Sequence, residues 1–192
     1  MLEPAIAHKQ ELQQKFAKEI YSDRWFLYSS RAGSHNIPEI TDDDNWYIYA
    51  VLDKTEVVGY FSYYIDPLTN CASRFALYSF KPGNLRVVID IFAKLEQLVK
   101  VCHRLEWSVV EGNPAERAYD KFCKKHNGRK FIFRDALKDP SGNYRNECIY
   151  EIVTGDSNAE SWEPCKSSKF SNASREKEMN AVIESLQNSS RR

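Results

Sequence analysis

The stretch between residues 74 and 131 most constrains the fold, because strand-like and helix-like segments alternate in it with clear breaks between them. Arg74–Phe80 is rich in aromatic residues and predicts a strand. Pro and Gly interrupt regular structure within Lys81–Asn84, and Asn84 is a suitable N-cap for the helix that follows. Leu105–Val110 then predicts a second strand. In the intervening helix the apolar residues recur at helical spacing, at Leu85, Val88, Phe92, Leu95 and Val99.

The segment after the second strand has the clearest helix start in the sequence. Asn113 caps the helix, Pro114 occupies its first position, and Glu116 stands three residues after the cap. Asn127–Gly128 ends it. Its apolar stripe consists of Ala115, Ala118, Tyr119, Phe122 and Cys123. The order strand, helix, strand, short helix, strand predicts a parallel pair of strands joined by a right-handed crossover.

The turn between the first strand and the first helix of this unit decides what the unit can bind. The backbone amides of Gly83, Asn84, Leu85 and Arg86 would point out of a helix N-terminus without partners inside the helix. Together with the helix dipole, such amides can hold a phosphate group. The alternative is that Gly83 only allows a strand to turn into a helix. A single glycine does not separate these two interpretations.

These segments together resemble the GNAT acyltransferase superfamily, whose members transfer an acyl group from acyl-CoA to an amine. The resemblance covers roughly residues 46–153. It implies an α/β fold in which a mixed, mostly antiparallel sheet contains a central splayed parallel pair and carries helices on both faces. The features that carry it are the turn Asp53–Glu56 between two strands, the strand–loop–helix at Arg74–His103, and Asn113 followed by a helix with Tyr119.

The resemblance implies where acetyl-CoA, the co-substrate, would bind. In the family the loop after the fourth strand holds the pyrophosphate, and its pattern is a basic or amide residue, two variable positions, Gly, one variable position, then Gly or Ala. With Gly83 as the glycine, this chain has Phe80 and Leu85 at the other two defined positions, and Pro82 removes one donor. The loop is therefore degenerate. The implied binding residues are Leu77, Tyr78, Ser79, Gly83, Asn84, Leu85, Arg86 and Asn113.

The resemblance also implies the catalytic groups. The family places a tyrosine on the second helix to protonate the departing CoA thiolate, and Tyr119 matches it, one position short of the commonest spacing. For a base, Glu111 at the end of the second strand is the nearest matching carboxylate, with Glu56 and Asp66 as alternatives. The residues alone also allow simpler interpretations. Tyr119 belongs to an apolar stripe, as core tyrosines do, and Glu111 would be a solvated strand end.

Three functions stay open at this point. The first is an acyl-CoA-dependent N-acyltransferase that acetylates an unidentified amine on a small molecule or a peptide. The second is a GNAT-fold binding or regulatory module whose degenerate loop no longer holds CoA. The third uses the basic stretch 113–138 for nucleic acid, and it is the weakest because 27 basic and 27 acidic residues cancel over the chain. A homodimer is left open, and no metal site is predicted.

Composition adds an expectation about the compartment. No apolar run reaches membrane length and no signal peptide is recognisable, so we expect a cytoplasmic protein without membrane contact. The five cysteines include no CxxC pair. Cys102, Cys123 and Cys148 fall on segments with the character of apolar helix faces or strands. This is the pattern of reduced, buried thiols.

The chain divides into an acyltransferase-like domain, residues 1–153, and a C-terminal extension, residues 154–192. Within the domain, residues 4–29 predict a helix whose apolar face contains Leu12, Phe16 and Ile20. An antiparallel hairpin is predicted from Trp46–Val51 and Val57–Ile65. The extension is rich in Ser, Asn, Gly and Glu at first and then predicts a short amphipathic helix with Met179, Val182, Ile183 and Leu186 on one face.

Overall fold

The structure of the protein, a computed structural model, describes residues 1–20, 22, 25, 26, 38–81 and 83–154. Its strands are β1 (Leu2–Pro4), β2 (Trp46–Asp53), β3 (Glu56–Asp66), β4 (Cys71–Ser79), β5 (Arg104–Val110), β6 (Arg129–Lys138) and β7 (Tyr144–Val153). Its α-helices are α1 (Lys9–Glu19), α2 (Leu85–Val101) and α3 (Glu116–Lys125), and a 3-10 helix at Ala5–His8 precedes α1.

The described strands form one sheet in the order β1-β2-β3-β4-β5-β7-β6. Adjacent strands in this sheet are antiparallel, except β4 and β5, which run parallel. The parallel pair is short, since Cys71 lies opposite Arg104 and Ala72 opposite Leu105, and no later residues of the two strands are paired. The two strands therefore part over the rest of their length. The mixed sheet with a splayed parallel pair, predicted from the sequence, is confirmed.

Helices cover both faces of this sheet, as predicted. Alternate residues of β3 point to opposite faces, so Phe61 and Tyr63 join one core and Tyr60 joins another. The first core receives α2 and α3, and the second receives α1 through Leu12 and Phe16. The helix α2, in the crossover from β4 to β5, and the helix α3, which follows β5, thus lie on the same face, beside the gap between the parting strands.

The helix α2 begins where the sequence predicts, but its buried face differs from the prediction. The Asn84 side chain accepts a hydrogen bond from the Arg86 amide at 2.8 Å, which confirms the predicted cap. Leu85 and Val88, expected in the core, are 73% and 41% exposed. The buried residues are Val87, Ile91, Leu95 and Leu98. Apolar residues occupy several sides of the first two turns, so periodicity alone could not choose the face that meets the sheet.

The N-terminal helix begins later in the chain than predicted. Instead of one helix from residue 4 to residue 29, the chain begins with β1, pairs it with β2, and enters α1 only at Lys9. Pro4 has no amide to donate, which an edge strand tolerates. The predicted apolar face is nevertheless confirmed, because Leu12, Phe16 and Ile20 are all buried.

The structure also bears on the sequence predictions about the cysteines, membrane helices and the C-terminal extension. Cys102, Cys123 and Cys148 are buried free thiols, as expected, and Cys71 is half-buried. In the described parts of the chain, no helix is long and apolar enough to cross a membrane. β7 ends at Val153. The predicted C-terminal extension, with its predicted helix at 172–188, lies outside the described residues except for Thr154.

Candidate active site between the parting strands

A small cavity lies at the gap between β4 and β5. Its volume is about 10 Å³, close to the space that one water molecule requires. Most of its lining is apolar, and only Trp107 and Tyr119 bring polar groups on their side chains. The lining residues are Phe61, Phe75 and Leu77 from β3 and β4, Ile91 and Leu95 from α2, Trp107 from β5 and Tyr119 from α3.

The loop from β4 to α2 contains the predicted phosphate-binding amides. The Asn84 amide donates to the Lys81 carbonyl at 3.2 Å, and the Arg86 amide donates to the side-chain oxygen of Asn84. The amides of Gly83 and Leu85 have no hydrogen-bond partner among the described residues. Gly83 has a φ of 72°, and a Cβ built on it would meet no atom within 4 Å. The loop thus offers two amides beside open space, rather than four.

The charged side chains around this loop are tied to carboxylates at the surface. The Lys81 ammonium lies 3.5 Å from Glu56, and Arg86 Nε donates to Asp90 at 3.0 Å. Both cations are more than half exposed. Exposed ion pairs of this kind contribute little stability. Either cation can therefore exchange its carboxylate for a phosphate at small cost.

The residues predicted at the end of β4 do not all face the cavity. Leu77 lines it, whereas the next side chain, Tyr78, points to the opposite core and donates its hydroxyl to Glu19 Oε2 at 2.6 Å. The Ser79 hydroxyl donates to the Lys81 carbonyl at 2.8 Å. Leu85, at the other end of the loop, is largely exposed. The cavity thus receives one side chain of this predicted group, that of Leu77.

Tyr119 is the predicted acid, and its ring is 5% exposed. The ring centroid lies 5.5 Å from that of Phe92 and 5.7 Å from that of Trp107. No hydrogen bond joins the Tyr119 hydroxyl to any described residue. Burial raises the pKa of the phenol, so it stays protonated at neutral pH. The side chain is both a core residue and a lining residue of the cavity.

The start of α3 is built around Asn113, which is buried and accepts a hydrogen bond from the Ala115 amide at 2.8 Å. Asn113 was predicted both as a cap and as a ligand-binding residue. The helix itself begins at Glu116 rather than at the predicted Pro114, because residues 113–115 form a turn first. Glu116 Oε2 accepts from the Gly112 amide at 2.7 Å. The Glu116 carboxylate therefore accepts from the backbone as in a capping box, but from Gly112, the residue before Asn113, rather than from Asn113 itself.

A polar network that the sequence did not reveal ties α3 to the sheet. Lys130 Nζ, on β6, donates to Glu116 at 2.8 Å and to Asp120 at 2.9 Å. Tyr150 on β7 also donates to Asp120, at 2.7 Å. Burial alone would lower the pKa of Lys130 and raise those of the two carboxyls, but the hydrogen bonds reverse both effects. The network holds the helix that carries Tyr119.

The same contacts account for part of the predicted basic stretch. Besides Lys130, Lys125 is engaged with a carboxylate, that of Glu96 on α2. The sequence placed both cations in the basic stretch 113–138, because local sequence does not show that Lys130 faces the carboxylates of α3. A cation on β6 at an inward position was the only signal available.

The three carboxylates considered as a base differ in their partners. Glu111 is exposed, and its Oε2 accepts a hydrogen bond from the neutral Asn146 side chain at 2.8 Å. Glu56 pairs with Lys81. Asp66 accepts from the Leu68 amide at 2.8 Å, and this bond lowers its pKa. Of the three, Glu111 is the one held by a neutral side chain.

In the part of the chain that the structure covers, no cluster of three or more His, Cys, Asp or Glu side chains could hold a metal ion. No protein-family profile and no curated protein sequence matches the chain. Solved structures do match, and those described are acetyltransferases, two of them named as GCN5-related or GNAT-family proteins. The chain therefore has the GNAT fold, which confirms the predicted resemblance at the level of fold.

Three of these structures indicate how far the likeness extends. RimL, a ribosomal α-N-protein acetyltransferase in complex with coenzyme A, has a TM-score of 0.58 and 13% identity over 80% of this chain and 93% of its own. An N-acetyltransferase from Staphylococcus aureus has a TM-score of 0.57 and 14% identity, covering 80% and 97%. The microcin self-immunity acetyltransferase MccE, bound to acetyl-CoA and AMP, has a TM-score of 0.55 and 16% identity, covering 79% and 91%.

Proposed function

We propose that the protein is an acyl-CoA-dependent N-acyltransferase that transfers an acetyl group from acetyl-CoA to an amine. One observation carries the proposal. The only parallel pair of described strands parts after two residue pairs, and Tyr119, whose hydroxyl has no described partner, lines the cavity between them. A capped helix N-terminus follows the first of these strands. The likeness to structures that contain CoA or acetyl-CoA supports the same ligand class.

Each part of the loop and strands has a role in this proposal. The free amides of Gly83 and Leu85 would hold the pyrophosphate, supported by the N-terminal dipole of α2. Backbone groups of Leu77–Ser79 would bind the pantetheine chain and polarise the thioester carbonyl. Positioning the two substrates in this way can supply several kcal/mol toward the barrier.

Two side chains would handle the protons. Glu111, or a water held by it, would take a proton from the attacking ammonium so that a neutral amine reaches the thioester. Tyr119 would give its proton to the CoA thiolate as the carbon–sulfur bond breaks. Tyr119 suits this step because burial raises the pKa of its phenol, so the proton to be donated is present at pH 7.

The acceptor is proposed only as a class, an amine on a small molecule or on a peptide. RimL and MccE, two structures with this fold, are named for a protein substrate and for microcin self-immunity. We also propose that residues 1–153 belong to the acyltransferase domain. The reduced, buried thiols suit the cytoplasmic location that the sequence predicts.

Thermal unfolding with and without ligand tests the proposal directly. Acetyl-CoA and CoA should both raise Tm, because a ligand bound only by the native state stabilises it, by about 2.7 kcal/mol at 100 times Kd. Titration calorimetry then gives the affinity. If millimolar ligand leaves Tm unchanged and gives no heat, the chain is the binding or regulatory module instead.

The Tyr119→Phe variant tests the proton donor, because it keeps the ring and removes only the hydroxyl. We expect kcat to fall by about 10²–10⁴ while acetyl-CoA affinity and Tm stay nearly unchanged, since the hydroxyl has no described partner to lose. Tyr144→Phe, at a 64% exposed ring, is the matched control. Turnover within a few fold of the parent would assign Tyr119 to packing alone.

A further inference from the structure

Trp107 carries a buried hydrogen-bond donor without a described partner. The residue lies on β5 and is 4% exposed, and its indole Nε1 has no hydrogen bond to any residue that the structure describes. Nine buried polar groups in ten are paired, so an orphaned N–H needs a physical explanation. Tryptophan is chosen in cores mainly where its N–H can reach a partner. This N–H is therefore left to donate to a group that the described residues do not supply.

The position of Trp107 says where that group would lie. Its side chain lines the cavity between β4 and β5, together with Tyr119. Its ring is stacked on Tyr150 with centroids 5.2 Å apart and planes at 8°, and it meets Phe75 edge to face at 6.4 Å. These neighbours fix the orientation of the indole before any ligand arrives. A preorganised donor of this kind costs no rearrangement when its acceptor enters.

The chemistry of the cavity selects the ligand group. An indole N–H can only donate, so the ligand must present an acceptor. The other lining side chains are apolar apart from Tyr119, which disfavours an ion and favours a neutral acceptor flanked by methylene groups. The arm of acyl-CoA has this character, because its two amide carbonyls and its thioester carbonyl are separated by short alkyl segments. A cationic amine acceptor does not.

We propose that Trp107 is a substrate-binding residue whose indole N–H donates a hydrogen bond to a carbonyl oxygen of the acyl-pantetheine arm. The assignment rests on the proposed acyltransferase function and deepens it. Trp107 and Tyr119 then contact the same arm, Trp107 at a carbonyl and Tyr119 at the sulfur. The indole bond persists through the reaction and positions the arm, whereas the phenol gives up its proton.

Nuclear magnetic resonance of the indole N–H groups tests the assignment without any turnover. The chain has 4 Trp, so the parent labelled with ¹⁵N-tryptophan gives four indole signals, and the signal missing from Trp107→Phe identifies Trp107. Saturating acetyl-CoA should move that signal downfield, as a new hydrogen bond does. CoA distinguishes the acceptor: a shift with both ligands indicates a pantetheine amide, and a shift with acetyl-CoA alone indicates the thioester.

A second variant separates the hydrogen bond from packing. Benzothienylalanine at position 107 keeps the bicyclic ring and replaces the N–H by sulfur, and we expect it to bind acetyl-CoA about five- to tenfold more weakly while Tm without ligand is retained. The same replacement at Trp46, which lies on β2 and so on the other side of β4 from β5, should leave the affinity for acetyl-CoA unchanged. If the parent binds acetyl-CoA but the Trp107 signal stays in place and the isostere binds equally well, the assignment is wrong and the function stands. If the parent binds neither ligand, the proposed function itself fails, and this assignment with it.

Discussion

Replacing Gly83 gives the sharpest test of the loop, because the structure separates the effect on folding from the effect on binding. The residue has a φ of 72°, and a Cβ would meet nothing within 4 Å. Any L-residue here pays about 1–2 kcal/mol for the left-handed backbone and nothing for steric clash. At roughly 2–4 °C per kcal/mol for a chain of this size, Gly83→Ala and Gly83→Glu should both lower Tm by about 2–8 °C.

The two variants should differ only when ligand is added. The glutamate would bring a negative charge to the open space beside the free amides of Gly83 and Leu85, where the pyrophosphate is proposed to bind. With acetyl-CoA at 100 times the parent Kd, the parent and Gly83→Ala should gain about 2.7 kcal/mol, and Gly83→Glu should gain little. Differential scanning fluorimetry measures the shifts, and calorimetry measures the affinities.

A control glycine removes the ambiguity of backbone strain. Gly142, in the turn between β6 and β7, has a φ of 88°, and a Cβ there would meet only Lys138 Cε, at 3.8 Å. Gly142→Glu should therefore lose a similar stability and keep the full ligand shift. If Gly83→Glu binds acetyl-CoA as tightly as Gly142→Glu does, the pyrophosphate does not lie at this loop.

Three further predictions concern stability. Lys130→Met should cost about 1–2 kcal/mol by denaturant unfolding at pH 7. The pKa values of Glu116 and Asp120 are lower in the folded protein than in the unfolded chain, where they are near 4. The stabilisation by Lys130 is therefore present above about pH 4 and is lost as the pH falls. A stability difference between the parent and Lys130→Met that persisted at pH 3 would contradict the network. Asn84→Ala should cost about 1 kcal/mol through the lost cap, and no loss would show that the cap is redundant. Deleting residues 172–188 should lower Tm or change the elution volume, and if neither changes, that segment does not dock.

The sequence predicted the parts of the fold that local chemistry determines. The cap at Asn84 and the turn at Asn127, with a φ of 53°, depend on residues a few positions apart and were found. The parallel pair followed from the order of the elements. The buried face of α2 did not, because Leu85 and Val87 are equally apolar and only contact with the sheet decides between them.

The candidate site was predictable only where it follows the chain. Tyr119 could be proposed from its distance to Asn113, but its open hydroxyl depends on how α3 packs against β5. Trp107 gave no signal beyond being an aromatic residue in a strand. Lys130 was assigned to the basic stretch 113–138, whereas two carboxylates of α3 hold it. These contacts form between segments that are far apart in the sequence, and such contacts cannot be predicted from the local pattern of a single sequence.

Glu111→Gln tests the remaining catalytic assignment, that of the base. Asn146 Nδ2 donates to Glu111 Oε2, and the amide oxygen of glutamine can accept the same bond, so the variant should fold like the parent. It cannot take a proton, however. With an amine that supports turnover, release of the CoA thiol should slow by about 10²–10⁴ in kcat/KM. Glu56→Gln, which alters a carboxylate paired with Lys81, is the control. A Glu111→Gln variant that keeps the rate of the parent would show that the amine loses its proton to water or to another group.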